Sequence, residues 1–338
     1  MKVASITGPR QAALIDLPDP TPGEDFAVVK VHVVPMCTEY KAYNQGSVTQ
    51  LLGHEAAGEV VAIAQPGKVK VGDRVVVMPG WSCGKCPMCL AGDYIHCQVR
   101  ADPLAICNCQ AGKATYAQYT IKADWLLLPI ADGISYEHAS MACCGLGPTF
   151  AAAQRMAVDA MDTVLVTGLG PVGLGAVINC VVRAARVIAA DPCEYRRKLA
   201  MDIGAAAAID PTAEGALKAI MDLTGGVGPD KAIDCSGVAA AQRLAIDATR
   251  RRGQVSFVGE AGELPVKISQ DLIRKGLTLH GVWHWNLRDT PRMMQTIAAA
   301  GAMLDKVITH TFPMSRVADA WELQMTHQCG KVLLYPWK

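Results

Sequence analysis

The run Thr163-Val-Leu-Val-Thr-Gly168-Leu-Gly170-Pro171-Val172-Gly173-Leu-Gly175 decides the fold. A short apolar, β-branched strand is followed at once by G-x-G-x-x-G, where an alanine- and valine-rich helix opens. That spacing asks for a tight turn at Gly168, close backbone approach to a pyrophosphate at Gly170, and tight helix-on-strand packing at Gly173. The helix N-terminus, with Pro171 and Val172 in its first turn, then faces the phosphates. The next strand ends at Asp191, 21 residues beyond Gly170. A carboxylate there accepts hydrogen bonds from ribose hydroxyls and repels a 2′-phosphate. The segment therefore reads as a dinucleotide site for NAD, and Arg196 and Arg197 keep NADP as the alternative.

Outward from this run, short buried strands alternate with alanine-rich helical stretches: 163–167, 173–183, 186–190 and 194–203. This βαβ rhythm predicts an α/β, doubly wound parallel sheet covered by helices on both faces. Later strands are expected at 231–234, 254–258 and 278–282. Ligands of such sheets bind at the strands' carboxyl ends, which adds Cys235, Val258, Gly259, Val282 and Trp283 to the candidate nucleotide contacts. For Trp283 and Trp285, packing is an equally good explanation. Before residue 145 the texture differs: short β-branched runs at 27–34, 58–64 and 73–78 are punctuated by glycine and proline and predict an irregular, mostly β domain. The tail beyond Trp285, with a helix over 290–302, a further helix and a strand over 331–335, is too small for a domain and is expected to pack on the first one.

Composition narrows the class. The 338 residues are 51% apolar, with 32 basic against 31 acidic side chains, which is enough for buried cores in about two domains and gives no electrostatic reason to expect nucleic acid or an anionic membrane. The longest apolar stretch is interrupted by Asn179, Arg183 and Arg186 and falls short of the roughly 18 to 20 residues of a membrane span. A small-molecule ligand and a cytoplasmic location are expected. The odd total of 13 cysteines argues against a complete disulfide framework.

Cysteine spacing supplies two metal signatures. Cys83, Cys86, Cys89 and Cys97 form C-x2-C-x2-C-x7-C in a loop containing Gly84, Pro87 and Gly92. Four thiolates can close a tetrahedron around zinc and leave no position for substrate, so that site is structural. The second signature is dispersed: Cys37 at a strand end, Gly53-His54-Glu55, and the pair Cys143-Cys144. A catalytic zinc needs three protein ligands and an open fourth position. Cys107 and Cys109 form C-x-C without further partners and read as free thiols.

Taken together and in order, these motifs resemble the zinc-dependent medium-chain alcohol dehydrogenases over essentially the whole chain. The resemblance implies a Rossmann NAD-binding domain (146–285) inserted into a mostly β, GroES-like catalytic domain (1–145 and 286–338). It implies a catalytic zinc on Cys37, His54 and Cys143, with Glu55 as an exchangeable fourth ligand, and a structural zinc on the four-cysteine lobe. Cys143 is preferred to Cys144 because it stands where polyol-type members carry a glutamate and many simple alcohol dehydrogenases a cysteine. Asp191 and Arg196 match the adenosine-ribose contacts. The sequence departs from the family after Cys37, where Thr38 comes one position early, Glu39 takes the place of the relay hydroxyl and Ala42 replaces a histidine. The expectation is that Glu39 or Thr38 relays the substrate proton. The implied activity is hydride transfer from a secondary alcohol, a polyol, sugar or cyclitol, to NAD, giving the ketone. A homo-oligomer, tetramer or dimer, is implied too. The alternatives are a simple aliphatic or aromatic alcohol as substrate, or a non-catalytic nucleotide-binding sensor on the same fold.

Overall fold

The computed structural model describes residues 1–109, 111–260 and 262–338. The chain divides into two compact units: Met1–Cys144 with Asn286–Ala298 and Ile308–Lys338, and Gly145–Trp285 with Ala299–Val307.

In the second unit, six parallel strands lie in the spatial order Ala207–Ile209, Arg186–Ala190, Thr163–Thr167, Lys231–Asp234, Gln254–Phe257, Thr278–Gly281. The central strands are continuous apolar runs because helices cover both faces: Val164, Leu165, Val166, Ile188 and Ile233 are fully buried. Strand order reverses between Thr163–Thr167 and Lys231–Asp234, and a ligand crevice belongs at the carboxyl ends beside that reversal. The helix Pro171–Val181 starts there, with proline in its first turn and Gly170 as its extended N-cap.

The helix expected over 290–302 ends at Ala299, and the tail continues in two further helices, Gly301–Val307 and Val317–Met325, where one was expected. Gly301–Val307 belongs with the nucleotide unit and not, as expected, with the first. Leu304 and Val307 are fully buried, and Lys306 Nζ donates to the Asp202 carbonyl at 2.7 Å.

In the first unit, the strand Phe26–Pro35 is the organising element. One edge pairs antiparallel with Ala56–Ile63. The other pairs first with Tyr119–Ala123 and then, at Val34 and Pro35, with Lys331–Tyr335. Arg74–Val77 and Leu127–Pro129 extend the sheet one way, and Ile308–Pro313 extends it the other. Register does the rest. Val33 lies opposite Ala57 and Pro35 opposite Leu333. Cys37, Glu55 and Lys331 thus come to the same end of three adjacent strands. Beneath them, the helix Val317–Met325 buries Trp321 against Tyr43 and Tyr116, ring centroids 4.8 and 6.0 Å away.

Lys122, on Tyr119–Ala123, is buried. Its Nζ donates to the Gly80 carbonyl at 2.9 Å and sits 3.9 Å from the Trp81 ring centroid, anchoring the segment that leads into the four-cysteine lobe. Burial pushes its pKa down to about 7. The unfolded chain, with an ordinary lysine near ~10.4, binds more protons between those values, so this group makes stability rise with pH across that window. Lys122→Met removes the penalty on the charged amine. The Tm difference between variant and wild type, followed by calorimetry, should move in the variant's favour as pH is lowered from about 10 to 7; a difference independent of pH contradicts the assignment.

Candidate active site

The four-cysteine lobe is preorganised by its backbone. Gly84 and Gly92 turn with φ of 72° and 89°, and the short helix Pro87–Leu90 separates Cys86 from the sulfur of Cys89 only by one turn. The Sγ–Sγ separations are 3.5 Å for Cys86–Cys89, 3.6 Å for Cys97–Cys83 and 3.8 Å for Cys86–Cys97. A tetrahedron with Zn–S bonds of ~2.3 Å has edges of about 3.8 Å, so the donors fit one zinc ion. The Cys89 backbone N–H and the neighbouring thiols push the Cys86 thiol down to about 6, which supplies a thiolate at neutral pH. Asn286 ties the lobe to the tail through Nδ2 bonds, both at 2.9 Å, to the Ala91 carbonyl and Asp93 Oδ1.

The second cluster comprises Cys37, His54, Glu55 and Cys144, whose ligand atoms all lie within 4.8 Å of one another. Gly53 makes the approach possible. Its φ is +81°, and a Cβ there would collide with Thr115 and Tyr116. His54 Nε2 lies 3.3 Å from Cys144 Sγ and 3.5 Å from Glu55 Oε1. The Cys143 side chain is not in the cluster: it is fully buried, with its Sγ 3.4 Å from the Val77 carbonyl. The expectation of Cys143 beside Cys37 and His54 is therefore corrected: the sulfur in the cluster is that of Cys144. The two occupy consecutive positions of a tight turn, so their side chains leave in different directions.

Glu39 is placed differently from the relay expected of it. Its Oε1 lies 3.1 Å from His54 Nδ1, while Oε2 accepts the Cys37 N–H at 3.1 Å and the Tyr116 hydroxyl at 3.0 Å. Both oxygens are committed, and the carboxylate fixes the histidine's ring and tautomer. Although burial opposes it, contact with His54 holds the Glu39 carboxyl below its usual range. Thr38 is exposed.

Two interacting residues escaped the sequence reading. Lys331 is 1% exposed, with Nζ 3.3 Å from Glu55 Oε2, which also accepts the Cys144 N–H at 3.2 Å. Glu55 Oε1 accepts no hydrogen bond and is left facing the cluster. A lysine opening the otherwise apolar strand Lys331–Tyr335 was the available signal. Tyr116 gave none. The electrostatics call for a cation. Burial first, and then the charge of Cys37 against the opposing pull of Lys331, pushes Glu55 up to about 7. Against burial, Cys37 and Glu39 push the His54 imidazole up to about 11. A proton on His54 and a metal ion would compete for the same donor atom.

In the nucleotide unit, Gly168 turns with φ of +82°, and a Cβ at Gly173 would collide with the Gly168 carbonyl. A Cβ at Gly170 would meet only Arg196 Nη1, at 3.9 Å, which leaves open space over the helix N-terminus, where Pro171 and Val172 begin. Asp191 ties the fingerprint turn to its own loop: Oδ2 accepts the Leu169 N–H at 2.6 Å and Oδ1 the Cys193 N–H at 2.8 Å. Arg196 Nε is buried without a hydrogen-bond partner. Cys235, Val258 and Gly259 follow the strand ends as expected. Val282 is nearly buried, Trp283 is half exposed, and Trp285 is core, edge-on to Phe150 with centroids 6.0 Å apart.

With this geometry in hand, comparison with known proteins is decisive about family. The alcohol dehydrogenase GroES-like domain matches residues 23–132 and the zinc-binding dehydrogenase domain residues 171–299. L-threonine 3-dehydrogenase of Pyrococcus horikoshii is 31% identical, with 94% of this chain and 93% of the relative covered. Sorbitol dehydrogenase of Bacillus subtilis is 29% identical, covering 99% and 97%. A crystal structure of a protein named short chain alcohol dehydrogenase (rspB) from E. coli CFT073, complexed with NADH, is 27% identical and superposes with a TM-score of 0.84 over 99% of both chains. The chain belongs to the zinc-type, medium-chain alcohol dehydrogenase family and is an oxidoreductase acting on CH–OH donors.

Metal analysis separates the adjacent cysteines. Cys144→Ser should lose about one equivalent of zinc while Cys143→Ser retains the wild-type content, and Glu39→Gln should weaken zinc at the same site ~10- to 100-fold in competition with a chelator. Loss of zinc in Cys143→Ser, with Cys144→Ser unaffected, overturns the correction.

Proposed function

We propose that this chain oxidises a secondary alcohol, a polyol, sugar or cyclitol, to the ketone with NAD, using two zinc ions per chain. The observation that carries the reading is the buried cluster in which Glu55 Oε1 accepts no hydrogen bond and faces His54 Nε2 at 3.5 Å, beside Cys144. Cys37, His54 and Cys144 hold the catalytic zinc, with Glu55 as exchangeable ligand, and Cys83, Cys86, Cys89 and Cys97 hold the structural one. Zinc on the first set supplies a Lewis acid for the charge that develops on a substrate hydroxyl oxygen. NAD supplies the hydride acceptor.

The protein's own work is positioning. Glu39 fixes the His54 ring, and Lys331 and the Cys144 N–H retain one oxygen of Glu55 while its other oxygen stays available. Thr38, exposed and adjacent to Cys37, passes the hydroxyl proton outward, since both oxygens of Glu39 are committed. At the nucleotide, Gly168, Gly170 and Gly173 admit the pyrophosphate, and Asp191 and Arg196 take the adenosine ribose. Cys235, Val258, Gly259, Val282 and Trp283 line the remaining length of the dinucleotide. Asp191 favours NAD over NADP because a 2′-phosphate beside a carboxylate is repelled. The names of the sorbitol and threonine dehydrogenase relatives support an alcohol bearing further polar groups. A homo-oligomer, tetramer or dimer, fits the open edge of the parallel sheet at Thr278–Gly281 beside half-exposed Trp283. A reducing, cytoplasmic compartment fits the free cysteines of both metal sites.

A panel of polyols, cyclitols, sugars, L-threonine and simple alcohols, each with NAD+ and NADP+, tests the reading by the appearance of reduced nicotinamide. We expect turnover with at least one polyhydroxylated secondary alcohol and about tenfold or greater preference for NAD+, the scale of one unfavourable charge contact. Turnover confined to simple primary alcohols contradicts the substrate class, and no turnover with any member contradicts the activity.

A further inference from the structure

Asp234 is the last residue of the strand Lys231–Asp234 and is fully buried. Its Oδ1 accepts hydrogen bonds from Thr167 Oγ1 at 2.8 Å, Ser236 Oγ at 2.6 Å and the Ser236 N–H at 3.2 Å. Its Oδ2 accepts from Gln242 Nε2 at 3.0 Å and the Gly237 N–H at 3.3 Å. Its carbonyl accepts the N–H groups of Val258 and Gly259 at 2.9 and 3.0 Å. None of these donors is a cation. A buried carboxylate that accepts from no cation is expensive to keep, and here it stands where three loops meet: it bonds Thr167, just before the turn at Gly168, and its own 235–237 loop directly, while the 258–259 loop is held by the Asp234 backbone carbonyl and by Gln242.

The loops are also packed too closely to move independently. A Cβ at Gly168 would stand 2.6 Å from the Ser236 Cα, and one at Gly259 would collide with the Gly237 nitrogen. Gln242, itself buried, closes the circuit by bonding the Gly259 carbonyl at 3.3 Å as well as Asp234.

We propose that Asp234 is a positioning residue for the dinucleotide, holding the three loops in their binding shape before the ligand arrives. The proposal rests on the dinucleotide reading under Proposed function. Asparagine is nearly isosteric but puts an NH2 group where an acceptor is needed. Facing the Gly237 N–H and the Gln242 amide, or facing the Ser236 N–H, it sets donor against donor. The loops then separate by the fraction of an ångström that binding geometry does not tolerate.

The test is fluorescence titration of NADH into zinc-loaded wild type, Asp234→Asn and Gln242→Leu, with steady-state kinetics on the same preparations. For Asp234→Asn the NADH Kd and the KM for NAD+ should rise together about tenfold or more, the scale of a hydrogen bond to a charged group, while zinc content and the alcohol KM stay at wild-type values. Gln242→Leu should shift both in the same direction by a smaller factor, and decides the matter if Asp234→Asn does not fold. A variant with lowered Tm but wild-type Kd for NADH shows a merely structural role and overturns the proposal. Failure of wild type itself to bind NADH overturns the dinucleotide reading, an outcome separate from equal binding by wild type and variant.

Discussion

The candidate active site depends on the register of one strand. Phe26–Pro35 is held on both edges by antiparallel partners, and the pairings Val33 with Ala57 and Pro35 with Leu333 bring Cys37, Glu55 and Lys331 level with one another. A slip of one residue on either edge turns alternate side chains to the opposite face. Such a slip is resisted by the buried valines of the strand and by Trp321, Tyr43 and Tyr116 packed beneath it. Three residues separated by up to 294 positions in sequence thus become neighbours through backbone hydrogen bonding and core packing alone.

That register concentrates negative charge. Glu39, Glu55 and the Cys37 sulfur sit in one largely buried region, with Lys331 beside Glu55 and His54 between the two carboxylates. The two carboxylates divide the work according to their partners. Glu39 is saturated and immobilises His54, whereas Glu55 has one oxygen held and one available. In the nucleotide unit a comparable economy applies: Asp191 bonds one backbone N–H of the fingerprint and one of its own loop, and Asp234 gathers donors from a neighbouring strand end, its own loop and the helix Ala239–Ala248. Buried carboxylates that accept several donors fix the backbone shape around a ligand at a cost in stability.

Local chemistry was legible in the sequence wherever a short stretch contains its own constraint. The Gly168 to Gly175 fingerprint demanded a turn, a close approach and a helix start, and Cys83 to Cys97 enclosed a complete ligand set. The dispersed site was legible as a group, but three of its details were not. Cys143 and Cys144 are adjacent, and only the path of the turn decides which sulfur faces His54. Glu39 looked like a relay because it follows Cys37, yet Tyr116 and His54, distant in sequence, commit its oxygens. Lys331 stood out only as a charge at the start of an apolar strand. The tail helix breaks at Ala300, just before Gly301, and the helix that follows buries Leu304 and Val307.

The central claim is that Cys37, His54 and Cys144 converge on a single metal position with Glu55 beside it. An anomalous difference map at the zinc edge, from crystals of the zinc-loaded protein, measures this directly. The account predicts two peaks per chain, one within the four-cysteine lobe and one at bonding distance, ~2.0 to 2.3 Å, from His54 Nε2 and the sulfurs of Cys37 and Cys144. A peak bonded to the Cys143 sulfur, or a lone peak in the lobe, would contradict it.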